Sequence, residues 1–256
     1  NNGPVTVSFA CGDALSGVTA CPQNVVVGTE GVGQTLDGTV SDRADNASTA
    51  TVGGINIDLT APRVTASVTL APNAGGWNNT DVTVSFTCMD ELSGADTCGP
   101  PAQTVVAEGR AQSIGGRATD KAGNPSSMTV RFSIDRTPPV ITCSGSPTTM
   151  WPPNGKLVPV SVNVHVSDTL SGAAGFVLAS VTSSEADSAN GSDPPGDIED
   201  FVIGTADTAG WLRAERLGSG PGRVYRLQYV ARDQADNSAS CLVEIEVPHD
   251  QRRGST

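Results

Sequence analysis

Residues 78–98 read NNTDVTVSFTCMDELSGADTC, and residues 1–21 read NNGPVTVSFACGDALSGVTAC. These two stretches are copies of one unit, and the offset from residue 1 to residue 78 is 77 residues. Each copy contains the segment Val-Thr-Val-Ser-Phe, whose apolar and polar residues alternate as they do in a half-buried β-strand. A unit of this length is the size of one small β-sandwich, so the repeat predicts sandwiches in tandem.

The repeat divides the chain into three predicted domains. Residues 1–59 are the first copy, residues 60–136 are the second, and residues 137–256 are a longer, divergent third domain that ends in a polar tail. The first copy lacks the opening strand that follows Thr60 in the second. Two explanations stay open: the sequence is part of a longer array, or another segment, including one from a second copy of the chain, completes this open edge.

The composition predicts an all-β chain with an acidic surface. There are 29 Gly and 17 Pro among 256 residues, with Val, Thr and Ser between them, which is typical of short strands joined by tight turns. The net charge of −12 disfavours binding to phosphate backbones, so no nucleic-acid partner is expected. No run of about 18 apolar residues occurs in the sequence, so no membrane span is predicted.

Eight aspartates recur in three short motifs. They are Asp13, Asp90 and Asp168 in D-x-x-S-G, Asp42, Asp120 and Asp233 in D-x-A-x-N, and Asp58 and Asp135 in the D-x-T-x-P linkers. Where a loop at the end of a domain meets a linker, two or three carboxylates with Asn and backbone oxygens would supply the roughly six to eight oxygen ligands that Ca²⁺ takes. The alternative is that these aspartates cap the backbone amides of turns and bind no ion.

The chain contains no residue set typical of an enzyme. Its two histidines are His165, on the polar face of a predicted strand, and His249, in the C-terminal tail. No nucleophile elbow, zinc-protease motif or P-loop is present in the sequence. We therefore predict no enzymatic activity, and a cleft with two facing carboxylates would be needed to reverse that prediction.

The third domain carries two candidate ligand-binding features. Trp151, Trp211 and Tyr225 offer aromatic rings of the kind that stack on sugar faces, which predicts a glycan as a ligand. An acidic run also lies in a stretch rich in Gly, Ser and Pro; it consists of Glu185, Asp187, Asp193, Asp197, Glu199 and Asp200. We predict that this run is a solvated loop, with ion or ligand binding as the alternative.

The order of these motifs resembles a known family. The cycle of D-x-T-x-P, strand, D-x-x-S-G, D-x-A-x-N and final strand resembles the bacterial immunoglobulin-like repeats of secreted and surface proteins, over residues 1–136. The third domain, with Asp135-Arg-Thr-Pro-Pro-Val-Ile-Thr-Cys143 at its start and Asp233-Gln-Ala-Asp-Asn-Ser-Ala-Ser-Cys241 at its end, resembles the hyalin repeat. The resemblance implies tandem immunoglobulin-like β-sandwiches, arranged as an elongated rod and displayed outside the cell. It implies no reaction.

The six cysteines are predicted to form three disulfides, which indicates an oxidising compartment. Six cysteines allow fifteen pairings. The repeat and the hyalin-like cysteine positions favour Cys11 with Cys21, Cys88 with Cys98, and Cys143 with Cys241. By loop-closure entropy, the short loops would contribute roughly 2–3 kcal/mol each and the long loop somewhat over ~4 kcal/mol.

The leading functional prediction is a non-catalytic spacer of an extracellular bacterial surface, adhesive or fibre protein, with neighbouring domains as its partners. The alternative is an accessory module on a secreted enzyme, in which the third domain recognises a glycan or surface polymer. An exposed, coplanar pair of aromatic side chains in that domain would favour the binding module, whereas their burial would favour the spacer.

Overall fold

The computed structural model describes residues 1–187 and 195–250. Over these residues the chain forms strands and turns and contains no helix, so none that could cross a membrane. The prediction of an all-β chain of immunoglobulin-like domains is therefore confirmed. Asp193, from the predicted acidic loop, lies outside the described residues.

The first repeat consists of two antiparallel strand pairs. Its strands are β1 (Val5–Val7), β2 (Val25–Val27), β3 (Gly31–Ser41) and β4 (Ala47–Ile57), with β1 paired to β2 and β3 to β4. Val7, Ile55 and Ile57 form its small buried core, against which Phe9 packs. Gly38 is required beside this core, because a Cβ atom there would lie 2.5 Å from the Phe9 ring.

The second repeat adds strands that the first repeat lacks. Its strands are β5 (Arg63–Thr69), β6 (Val82–Met89), β7 (Ala95–Gly99), β8 (Gln103–Val105), β9 (Gly109–Asp120) and β10 (Pro125–Ile134), in the orders β5-β6-β8 and β10-β9-β7. Strand β6 corresponds to β1 but is paired on both sides. Its Val82 and Val84 are fully buried, whereas Val5 in β1 is only half-buried.

The third repeat is a sandwich of two larger sheets. Its strands are β11 (Val140–Ser146), β12 (Leu157–Ser167), β13 (Ala173–Ser183), β14 (Ile198–Glu199), β15 (Ala209–Arg213), β16 (Gly222–Asp233) and β17 (Ser238–Pro248), in the orders β11-β12-β15-β14 and β13-β16-β17. Leu178, Leu212, Leu227 and Ile245, all fully buried, join the two sheets in one core.

The structure joins Cys11 to Cys21, Cys88 to Cys98, and Cys143 to Cys241. These are the three pairs that the repeat favours. The first two close a short loop around the D-x-x-S-G turn in their repeats, and the third links β11 to β17. No free cysteine occurs among the described residues.

The chain divides into two compact units. One contains residues 1–69, 82–105 and 113–131, and the other contains residues 70–81, 106–112 and 132–256. The first unit therefore holds the first repeat with most of the second, and the second unit holds the third repeat with three segments of the second. The division into three domains and their arrangement as a rod stay predictions.

Candidate metal centres

Six of the eight predicted aspartates come together in two groups of three. One group is Asp58, Asp90 and Asp120, and the other is Asp135, Asp168 and Asp233. In each group the three carboxylates offer oxygen atoms that all lie within 4.8 Å of one another. Each group takes one aspartate from each of the three motifs. We call the first group, with its linker and loops, the first joint, and the second group the second joint.

The two loop motifs meet because one backbone hydrogen bond recurs in every repeat. The N–H of the residue after the D-x-A-x-N aspartate donates to the carbonyl of the D-x-x-S-G glycine. The three bonds are Arg43 to Gly17 at 3.1 Å, Lys121 to Gly94 at 3.0 Å, and Gln234 to Gly172 at 2.8 Å. This contact joins backbone atoms and needs no ion, and it places the two loop aspartates of each repeat side by side.

The linker aspartate completes each joint. Asp58 accepts hydrogen bonds from the N–H of Thr60 at 3.1 Å and of Ser93 at 3.0 Å, so it ties its own turn to the D-x-x-S-G loop. The Asn124 side chain donates to the Asp58 carbonyl at 2.9 Å, which ties the linker to the D-x-A-x-N loop. The linker thus contacts both loops at the first joint.

The second joint repeats this arrangement with the corresponding residues. Asp135 accepts from the N–H of Thr137 at 3.1 Å and of Ser171 at 2.9 Å. The Asn237 side chain donates to the Asp135 carbonyl at 2.9 Å. Asp135 is fully buried, and the near-identical distances show that the motifs specify the geometry.

The D-x-x-S-G aspartate caps its own loop. Asp90 Oδ1 accepts the N–H of Gly94 at 2.7 Å, and Asp168 Oδ1 accepts the N–H of Gly172 at 2.7 Å. Gly94 has φ of 82° and Gly172 has φ of 94°, a left-handed conformation that glycine adopts without steric cost. The loop therefore needs both the acid and the glycine, which explains the motif.

Hydrogen bonding lowers the pKa of two carboxyl groups of the first joint. Hydrogen bonds from Ser93 hold the pKa of Asp58 below its ordinary value. Burial acts to raise the pKa of Asp120, but hydrogen bonds from the side chain and backbone of Asn124 outweigh it and the pKa is lowered. Asp58 and Asp120 are therefore both anionic at neutral pH.

Among the residues that the structure describes, none of the ion pairs within 4.0 Å involves the six grouped aspartates. Three carboxylates so close together repel one another, and a divalent cation would relieve that repulsion. Each carboxylate oxygen has two lone pairs, so a capping hydrogen bond leaves room for a metal ion. The donor set, carboxylate oxygens with nearby amide and carbonyl oxygens, fits Ca²⁺.

Asp13 and Asp42 lie in the corresponding loops of the first repeat, but the described residues bring no third carboxylate to them. Asp13 caps its loop as Asp90 does, accepting the N–H of Gly17 at 2.7 Å, and this bond lowers its pKa. The Asn46 side chain lowers the pKa of Asp42. The prediction of calcium binding is therefore carried forward only for the two groups of three.

Two glutamates that the sequence analysis did not single out clamp the linkers. Glu30 accepts the Thr60 hydroxyl at 2.9 Å and the Leu59 N–H, and Glu108 accepts the Thr137 hydroxyl at 3.0 Å and the Arg136 N–H. Each glutamate belongs to one repeat and holds the linker that begins the next. The sequence signal that could have identified these glutamates is their equivalent position in the first and second repeats.

The glycan prediction loses one of its three residues. Trp151 is 43% exposed and Trp211 is 39% exposed, but Tyr225 is fully buried. The Tyr225 hydroxyl donates to the Arg213 carbonyl at 2.9 Å inside the third repeat. Tyr225 is therefore a core residue, and its assignment as a sugar-stacking residue is wrong.

Part of the predicted solvated acidic run is buried. Asp197 is 3% exposed and, with Glu185 and Glu215, surrounds the fully buried guanidinium of Arg223. Burial raises the pKa of Asp197, against the effect of Arg223. These acids are internal counter-charges, so the expectation of a solvated loop is wrong for Glu185 and Asp197.

No protein-family model and no curated protein sequence matches the chain. Among solved structures, the chain is similar to protocadherin gamma B2 extracellular cadherin domains 1–5, at 16% identity and a TM-score of 0.32, over 87% of this chain and 47% of that one. It spans about half of the protocadherin chain.

Two further solved structures are similar to the chain. The fibronectin(III)-like modules of Clostridium thermocellum CbhA share 11% identity at a TM-score of 0.31, over 76% of this chain and 99% of theirs. A tetra-tandem repeat in the extending region of a large adhesion protein shares 17% identity at a TM-score of 0.27, over 89% of this chain and 63% of its own. At such TM-scores the function has to be argued from the residues of this chain.

Proposed function

We propose that this chain is a non-catalytic spacer of an extracellular bacterial adhesive or fibre protein, and that calcium ions bound at its two joints stiffen it. One observation carries the proposal: three motifs that are distant in sequence bring three carboxylates together, and they do so twice. Turn capping alone explains each aspartate separately. The hydrogen bonds from Ser93 and Asn124 also hold the linker aspartate against both loops, and a cation would relieve the repulsion among the three carboxylates that this creates.

The remaining features support the extracellular setting. Three disulfides are typical of proteins that fold in an oxidising compartment. Within the described part of the chain, β1 of the first repeat is paired on one side, with β2. We propose that neighbouring repeats are the principal partners of the chain, with other copies joining through the edge of β1. The half-exposed Trp151 and Trp211 alone do not favour a glycan site.

Thermal unfolding in millimolar Ca²⁺ and in chelator tests the calcium proposal. A ligand that binds only the folded state adds RT ln(1 + [L]/Kd), so millimolar calcium on a micromolar site adds about 4 kcal/mol. We expect a large rise in melting temperature for the native chain. Melting curves that coincide in the two buffers would leave the aspartates as turn caps.

The first repeat provides a matched control for this experiment. Asp13→Asn and Asp168→Asn each weaken the same cap, since both aspartates accept a glycine N–H at 2.7 Å. Only Asp168 belongs to a group of three. The calcium-induced rise should shrink for Asp168→Asn and Asp90→Asn and stay whole for Asp13→Asn. An equal loss in all three variants would assign the effect to the caps.

A further inference from the structure

The second joint has a further set of contacts that does not involve its three grouped aspartates, Asp135, Asp168 and Asp233. The Arg110 guanidinium donates to the Leu170 carbonyl at 2.6 Å, in the loop that carries Asp168. The same guanidinium lies over the Trp77 ring, 5.0 Å from its centroid, and Trp77 is only 6% exposed. A buried ring therefore holds the arginine in position against the third repeat.

A turn of the second repeat contacts the other loop. The Asn73 side-chain amide donates to the Gln234 carbonyl at 2.8 Å and to the Asp236 carboxylate at 2.8 Å, in the loop that carries Asp233. The Asn73 Oδ1 accepts the N–H of Trp77 at 3.1 Å, so this turn and the ring beneath Arg110 are one structure. A Cβ atom on Gly75 would lie 3.2 Å from the Gln234 carbonyl, which shows how closely the turn approaches.

The first joint has a different residue at the position of Arg110. Because Glu30 aligns with Glu108, Val32 aligns with Arg110. Val32 is 68% exposed and lines a cavity of about 270 Å³ with Lys121 and Leu92, and Leu92 aligns with Leu170. The first joint therefore has no arginine at this position.

We infer that Arg110, Trp77 and Asn73 form a latch that holds the two acidic loops of the third repeat without metal, so that the first joint is the one that loosens when calcium is removed. The part that concerns the first joint rests on the proposed function. The latch itself does not, because all of its contacts are made by the protein. These three residues are positioning residues, since they orient the aspartate loops and bind no ion themselves.

Hydrogen exchange measured by mass spectrometry tests the latch in chelator alone. Arg110→Val removes a charge-assisted hydrogen bond at an exposed position, so the fold should be retained. We expect amide exchange in residues 168–172 to accelerate about tenfold, the order of effect of one such bond. Exchange in β17 should not change. Unchanged exchange in residues 168–172 would overturn the latch.

Two further hydrogen-exchange measurements use the reciprocal variant Val32→Arg in chelator and the native chain with added calcium. In chelator, Val32→Arg should slow exchange in residues 90–94, because the guanidinium can cross the cavity to the Leu92 carbonyl; faster exchange there would contradict the inference. Adding calcium to the native chain should slow exchange at the first joint more than at the second. If calcium slows exchange at neither joint, the proposed function fails, while the latch is still decided by Arg110→Val.

Discussion

The two joints share their acidic residues and differ in what spans them. Both have the linker aspartate, the two loop aspartates, the amide bridge from Asn124 or Asn237, and the glutamate clamp. At the position where the second joint has Arg110, the first joint has Val32. The motifs therefore specify how the three carboxylates are grouped, while residues outside the motifs decide which further contacts hold each joint together.

The largest expected effect comes from disrupting the buried ion pairs of Arg223, because these lie in the third repeat and not at the first joint. Arg223→Met removes the fully buried guanidinium that pairs with Glu185, Asp197 and Glu215, which should destabilise the third repeat by ~3–5 kcal/mol. Hydrogen exchange should then show lost protection at the second joint and retained protection at the first.

Arg226→Met is the matched control for that variant. Arg226 pairs with Glu244, but the two side chains are 47% and 48% exposed. Exposed pairs contribute at most about 1 kcal/mol, so urea unfolding should barely change. Equal destabilisation by the two variants would mean that the buried network does not support the third repeat.

A smaller effect tests whether the joints are alike apart from the latch. Glu30→Gln and Glu108→Gln each replace a charged acceptor of a threonine hydroxyl by a neutral one. Each change should cost at most about 1 kcal/mol in urea unfolding, by similar amounts. Clearly unequal losses of unfolding free energy would mean that Glu30 and Glu108, and not Arg110 alone, account for the difference between the two joints.

The smallest expected effect concerns pH. The pKa values of Asp58 and Asp120 lie below their ordinary value of 3.8, so both stay charged between pH 7 and pH 5. A lowered folded pKa stabilises the folded state above the unfolded value, and this contribution is lost as pH falls through the folded pKa. The calcium-induced rise in melting temperature should be equal at pH 7 and pH 5 and fade below about pH 3.8. A rise that already fades by pH 5 would contradict these shifts.

The sequence was sufficient to predict the fold class, the cysteine pairs and the approach of the linker aspartates Asp58 and Asp135 to the loop aspartates. It was sufficient because short local motifs recur at equivalent places. Asp90 caps Gly94 for a reason contained in five residues, and the same reason holds for Asp168 and Gly172. The repeat then showed which motifs belong together.

The buried network of the third repeat could not be predicted in the same way. Arg223 finds its partners in Glu185, Asp197 and Glu215, which come from separate segments. A weaker signal was present in β16. Buried residues alternate with more exposed ones along this strand, and Arg223 and Tyr225 share the buried side with Leu227. Applying that alternation would have placed Tyr225 in the core. It would not have identified the acids.

Isothermal titration calorimetry of calcium into the metal-free, oxidised chain counts the calcium sites. We predict two binding sites in the native chain, one in Asp90→Asn, one in Asp168→Asn, and two in Asp13→Asn. We also predict that the site remaining in each single variant is lost when Asp90→Asn and Asp168→Asn are combined. No binding heat at millimolar calcium, or two sites that persist in Asp90→Asn and Asp168→Asn, would contradict these predictions.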